Sequence, residues 1–167
     1  MNPLKRLFRY SDNVSFEFSG DTTQAVDRLS RSASRPILQA TFSSDPSNPS
    51  LVGGVSKERV RLHKVTPLLG NAFKPIFVGK FQSQNGKSSL VGFFEMGAIG
   101  KIVISVFVFF TLAMQILLLP GIGTESGLGI FEPTLFLCGG ILLVLIFKAY
   151  SKKDVAWIEH HIESVLR

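Results

Sequence analysis

Two long stretches without a charged side chain constrain this sequence more than any other feature. Ile102–Leu119 and Thr134–Phe147 contain no Asp, Glu, Lys or Arg. As an α-helix, the first stretch would be about 27 Å long, close to the thickness of the hydrocarbon core of a bilayer. A chain of 167 residues is too short to bury two such helices in a core of its own. The sequence therefore predicts a two-helix transmembrane hairpin, with spans at about 98–119 and 133–150.

The distribution of lysine and arginine predicts how this hairpin is oriented. Fourteen of the eighteen cationic residues precede Ile102 and the other four follow Phe147, whereas the loop Pro120–Glu132 has none. Because cytoplasmic loops carry the excess of Lys and Arg, we expect both termini in the cytoplasm. The net charge of +6 then reflects the membrane rather than nucleic acid, for which no recognition motif is present. A secretory signal peptide is not expected at the N-terminus.

The remaining sequence predicts a small α+β domain built on an antiparallel sheet. Alternation of apolar and polar residues indicates a strand at Val14–Phe18, and Leu51–Ser56 and Val60–Val65 are two further short strand candidates. Between the first two, Asp21 and Gln24 form the pattern of a capping box, which begins a helix.

The strongest local pattern is a β-hairpin around Asn85-Gly86, a pair that favours the two-residue type I′ turn. This turn pairs Gln84 with Lys87 and brings Phe77, Phe81, Leu90 and Phe94 to one face. We expect this phenylalanine-rich face to supply the surface for a ligand or partner. A filled core behind it would instead favour simple scaffolding.

The C-terminal residues predict an amphipathic helix that starts anew after the second span. Val155, Ile158, Ile162 and Val165 fall on one stripe, and Asp154 is a plausible cap. We expect this helix to pack on the sheet, although the headgroup layer is an alternative. The expected organisation is a cytoplasmic α+β domain over 1–97, the transmembrane hairpin over 98–150, and the amphipathic helix over 151–167.

Seven cationic residues are candidates for contact with anionic lipid headgroups. Three have the three- and four-residue spacing of one helix face, and four flank the predicted spans. They are Arg28, Arg31, Arg35, Lys101, Lys148, Lys152 and Lys153. A solvated face in a basic domain is the alternative interpretation.

Within the predicted spans, Gln115, Gly139 and Gly140 are the candidates for helix packing, since small residues permit close approach and glutamine can hydrogen-bond to a neighbouring helix. No charged residue lies in the middle of either span, which argues against an ion or proton pathway.

No catalytic or metal site is predicted. His160 and His161 are adjacent, so on a helix they point about 100° apart and cannot chelate one ion together. Glu159 and Glu163 could share a face, but two carboxylates alone make a weak site. No serine has a recognisable base beside it, and no cofactor motif is present.

Parts of the second half of the chain resemble small two-span membrane proteins of bacteria whose role is uncharacterised. The segments that carry this resemblance are GNAFKPIFVGKF (Gly70–Phe81), LVGFFEMGAIGKIVISVFV (Leu90–Val108) and DVAWIEHHIESVL (Asp154–Leu166). The resemblance implies a bacterial inner-membrane location and no activity. The order of elements in the 1–97 domain also resembles helix-grip (START-like) domains, although a likeness of topology does not establish function.

Two functions are consistent with these expectations. The first is a membrane-anchored, non-enzymatic module whose cytoplasmic domain binds a partner protein or an apolar or lipid ligand. The second is a small subunit of a larger membrane assembly, or of a homo-oligomer, in which the hairpin makes the contact. Membrane lipids are expected partners in both.

Overall fold

The computed structural model describes residues 8–11, 13–33, 49–65, 73–84, 87–118 and 131–167. Within these ranges the chain has an α+β fold with five antiparallel strands and three helices, which confirms the predicted class. The elements along the chain are β1 Val14–Phe18, α1 Thr22–Ser32, β2 Ser50–Val55, β3 Val60–Val65, β4 Pro75–Gln84, β5 Lys87–Met96, α2 Ala98–Leu118 and α3 Phe131–Leu166.

The five strands form one sheet in the order β1-β5-β4-β3-β2, in which every neighbouring pair is antiparallel. The register of β4 with β5 is the predicted one, from Gln84 opposite Lys87 to Phe77 opposite Phe94. The predicted turn residues Asn85-Gly86 lie outside the described residues.

One face of the sheet is covered by α1 and by the C-terminal half of α3. Alternation along the strands brings their apolar side chains to this face. The apolar residues of the two helices recur at helical spacing, so each helix packs one apolar side against the sheet. The fully buried members are Leu29, Val60, Leu62, Phe77, Leu90, Phe94, Ile158 and Ile162. The C-terminal half of α3 therefore completes the core.

A pair of glycines makes room for the largest side chain at the centre of this face. Gly79 lies opposite Gly92 on β4 and β5, and the ring of Phe77 lies against both. A Cβ atom at Gly92 would stand 2.6 Å from Cζ of Phe77 and 2.5 Å from the carbonyl oxygen of Val78. Interior packing cannot absorb an overlap of this size without displacement.

Asp21 occupies the N-cap position of α1, but its side chain forms no capping hydrogen bond, so the capping-box detail was wrong. The first turn is held through the backbone, where the Ala25 N–H donates to the Asp21 carbonyl oxygen at 3.2 Å. Burial of Ala25 and Leu29 in the core then fixes the helix on the sheet.

The long helix α3 corrects a second sequence-based expectation. The second span and the C-terminal helix form one continuous helix of 36 residues, about 54 Å long. Asp154 lies inside this helix and does not cap it. No glycine or proline stands between Tyr150 and Asp154 to end the helix there.

Helix α2 follows β5 with only Gly97 between them, and the Lys101 N–H closes its first turn on the Gly97 carbonyl oxygen at 3.1 Å. Over the described residues, no helix has both the length and the apolar character needed to cross a membrane.

Substitution of Gly92 tests the packing of the sheet. We expect Gly92→Ala to lower the free energy of unfolding by about 1–3 kcal/mol, because the added methyl group overlaps Phe77 and the backbone of β4. Gly54→Ala is the matched control, since a Cβ there meets nothing within 4 Å. Denaturant unfolding followed by the fluorescence of Trp157, the single tryptophan, measures both. Equal stability of the two variants would contradict the packing.

Candidate functional site

A groove lies between α2 and the N-terminal half of α3 and has a volume of about 210 Å³. Its lining is almost entirely apolar, with Ile104 and Phe107 on α2 and Val144 on α3. Phe73, which precedes β4, and Lys148 of α3 also line it. Lys148 is the lining residue on α3 nearest to the sheet. The groove is therefore apolar along its length and has a cationic side chain at its sheet end.

The groove is shaped by a close contact between the two helices. A Cβ atom on Gly140 would stand 2.0 Å from Cε1 of Phe107, so the glycine allows this ring to approach the backbone of α3. Gly139, the neighbouring candidate for helix packing, faces open space with nothing within 4 Å of a Cβ position. Helix packing within the chain therefore uses Gly140.

At the sheet end of the groove, Phe73 connects three parts of the chain. Its ring stacks on Phe147 of α3, with the ring centroids 4.3 Å apart and an angle of 14° between the planes. Its carbonyl oxygen accepts hydrogen bonds from the hydroxyl groups of Tyr10 and of Ser151, the latter at 3.3 Å. We call these four residues, Tyr10, Phe73, Phe147 and Ser151, the Phe73 junction.

Next to the Phe73 junction, an ion pair holds α3 to β3. Lys64 Nζ lies 2.8 Å from Asp154 Oδ1, and the two side chains are 18% and 24% exposed. The same ammonium group lies 5.3 Å from the centre of the Trp157 ring, within the range of a cation–π contact. The partial exclusion of water makes this pair more than an ordinary surface salt bridge.

Burial shifts the ionisation of several groups in this region. Desolvation raises the pKa of Tyr10; its hydrogen bond with Ser151 acts in the opposite direction, and the charge of Asp154 adds to the rise. Desolvation lowers the pKa of Lys74, against the attraction of Asp154 and together with the repulsion of Lys64.

His63, on β3, has its pKa lowered first by burial and then by the positive charges of Lys74 and Arg61. These shifts describe a partly dehydrated, predominantly cationic environment. The Ser151 hydroxyl group donates to the Phe73 carbonyl oxygen and not to a histidine or a carboxylate.

Six of the seven predicted lipid-contact cations lie in the described part of the chain, and these six do not form one surface. Lys148 lines the groove, whereas Lys101 forms an ion pair with Glu95 at 2.6 Å. Lys152 and Lys153 are exposed on α3 beyond the Phe73 junction.

Arg28 and Arg31 are exposed on α1, and Arg28 lines a separate small cavity beside Gly20. Arg35 lies outside the described residues. Of the described members of this set, Lys148 is the one that lines the groove.

The phenylalanine-rich face is not an accessible surface. Phe77, Leu90 and Phe94 are fully buried and Phe81 is 8% exposed, because α1 and α3 cover this face. The ring of Phe77 contacts those of Phe16 and Phe94, with centroids 5.8 and 5.3 Å away. These four predicted ligand-contact residues are therefore core residues.

The remaining candidates have structural partners. His161 stacks on Trp157 with centroids 5.1 Å apart, and its Nε2 lies 2.8 Å from Ser32 Oγ on α1. Among the described residues, no group of three His, Cys, Asp or Glu side chains could hold a metal ion. The side chain of Gln115 lies outside the described set.

Sequence reasoning missed the Phe73 junction, since its members are separated by up to 141 positions in the chain (from Tyr10 to Ser151). No periodic pattern marks Phe73, which stands alone before Lys74 and Pro75. The signal that was available is the pair of lysines, each directly following one of the stacked rings, at Lys74 and Lys148.

Comparison of this chain with protein-family models, with curated proteins and with solved structures finds no match. A functional interpretation therefore rests on the sequence and on the geometry described above.

A double-mutant cycle tests the attachment of α3 to the sheet. We expect Lys64→Met and Asp154→Asn to show a coupling free energy of about 1 kcal/mol in unfolding experiments, because each removes the partner of a partly buried charge. Lys80→Met with Glu163→Gln is the control cycle, since both side chains are exposed and they form no ion pair with each other. Equal coupling in the two cycles would show that the Lys64–Asp154 pair does not hold the helix.

Proposed function

We propose that this chain is a membrane-anchored, non-enzymatic module of the bacterial inner membrane. In this proposal α2 and the N-terminal half of α3 lie in the bilayer and both termini are cytoplasmic. The sheet domain binds a partner protein or an apolar or lipid ligand at a surface other than the phenylalanine-rich face, which is buried. The observation that carries it is the row of large apolar side chains exposed along both helices. These include Ile102, Val106, Phe109, Phe110, Ile116, Leu135, Ile141, Leu142 and Leu145.

The contrast between the two halves of α3 supports this assignment. Leu135 is 75% exposed, whereas Ile158 and Ile162 on the same helix are fully buried in the sheet domain. Apolar surface in water costs about 25 cal/mol for each Å². The chain buries the apolar core of its sheet domain but leaves many apolar side chains of α2 and the N-terminal half of α3 exposed. This difference is best explained if lipid rather than water surrounds the two exposed segments.

The apolar stretch that supports the anchor runs beyond the described side chains. In the sequence it continues without charge from Ile102 to Leu119, and the 21 residues of α2 would be about 31 Å long. The described residues of α2 do not by themselves have the length and apolar character of a membrane span. This argument for the anchor therefore rests on the uncharged sequence from Ile102 to Leu119.

The charges at the sheet-proximal ends of the two apolar segments support the same placement. Lys101 stands in the first turn of α2, paired with Glu95, and Lys148 stands where α3 leaves the apolar segment. Lysines at these depths can extend their ammonium groups to the headgroup layer. The segment Pro120–Glu132 contains no lysine or arginine, and in this proposal it lies on the opposite side of the membrane.

The second candidate is a subunit whose hairpin contacts a larger assembly. Gly139, exposed on α3, is the small residue that would serve such a contact. The space beside Gly140, however, is already occupied by the Phe107 ring of the same chain. Within α2, the Thr111 hydroxyl group donates to the Phe107 carbonyl oxygen at 2.8 Å. Because these contacts are made within the chain, they favour an anchor whose two helices pack on each other over one that packs on another protein.

Alkaline carbonate extraction of bacterial membranes tests the anchor. We expect the full-length chain to stay with the membrane, and Val106→Lys with Phe109→Lys to release it or prevent its insertion. Each lysine near the centre of a span costs about 2.5–3.5 kcal/mol. The control carries Ser30→Lys and Ser164→Lys, at exposed positions on α1 and on the C-terminal half of α3. Release of the unmodified chain by carbonate would contradict the proposal.

A further inference from the structure

The groove between α2 and α3 is too small to enclose a whole drug-sized ligand. Its volume of about 210 Å³ is below the roughly 300–1,000 Å³ of pockets that enclose whole small ligands. It is elongated along α3, where its lining residues run from Gly140 through Val144 to Lys148. An apolar slot of this kind fits a flexible hydrocarbon segment whose remainder extends outside.

The sheet end of the groove carries positive charge. Lys148 lines the groove and forms no ion pair with another described residue. The stacked rings of Phe73 and Phe147 lie at this end, where Lys148 directly follows Phe147. Lys152, one turn further along α3, is also exposed there. The groove is thus apolar along its length and cationic at the end nearest the sheet.

We propose that this groove binds one acyl chain of an anionic phospholipid, with the lipid phosphate held by Lys148. This inference rests on the proposed membrane anchor and names the lipid that the anchor selects. The charge distribution matches the ligand, because the apolar part of the groove leads toward the depth of the bilayer and the lysine lies at the level of headgroups. The Phe107–Gly140 contact forms the wall on which the acyl chain lies.

Native mass spectrometry of the full-length chain, released from nanodiscs of equal parts phosphatidylglycerol and phosphatidylcholine, tests the proposal. We expect one retained phosphatidylglycerol for each chain and about a fivefold preference over phosphatidylcholine, the ratio given by about 1 kcal/mol for one lysine. Lys148→Gln should remove the preference while the acyl chain is still bound. Lys153→Gln, exposed and outside the groove, is the matched control and should keep it.

A second pair of variants tests the acyl chain itself. Val144→Phe fills the groove and should abolish lipid retention, whereas Leu142→Phe, on an exposed part of α3 that does not line the groove, should leave it unchanged. Equal retention by these two variants, or no preference between the two lipids in the unmodified chain, would overturn the proposal. Retention of a second copy of the chain in place of lipid would overturn it as well.

These failures are distinct from failure of the anchor. A chain that resists carbonate extraction but binds the two lipids equally contradicts only the lipid site. A chain that carbonate releases contradicts the anchor on which the site depends.

Discussion

The continuity of α3 through Ser151 is the constraint on which the rest of the structure depends. One helix must expose apolar side chains over its first half and bury a stripe of isoleucines over its second. The Phe73 junction fixes the point of change, because the Phe73 ring stacks on Phe147 and the Phe73 carbonyl oxygen accepts a hydrogen bond from the Ser151 hydroxyl group. One turn later, Lys64 holds Asp154, and the helix then enters the core.

This arrangement connects the sheet and the two helices firmly. The link from β5 to α2 is Gly97 alone, and the link through α3 is the helix itself. Both connections leave the same end of the sheet, where Glu95 pairs with Lys101 and where Tyr10 reaches Phe73. A ligand bound in the groove would therefore contact Phe73, which also connects the sheet to α3.

Local patterns predicted the sheet well because its signals are local. The alternation in Val14–Phe18 and the Asn85-Gly86 pair were sufficient to predict β1 and the register of β4 with β5. The phenylalanine-rich face was correctly placed on one side of the hairpin, but its exposure depends on which helices cover it, and that is decided by contacts between distant segments. For the same reason the sequence could not reveal that Phe73 and Phe147 stack, or that α3 continues past Ser151.

The most direct measurement of the central claim is the distance across the point where the two halves of α3 meet. Nitroxide labels at Cys138, the single cysteine, and at His160→Cys are both exposed and are separated by 22 positions on α3. A continuous helix predicts one narrow distribution centred at about 33 Å between the two backbone positions, allowing for the label length. A broad distribution, or one clearly shorter, would show that the helix breaks near Ser151 and would contradict the account.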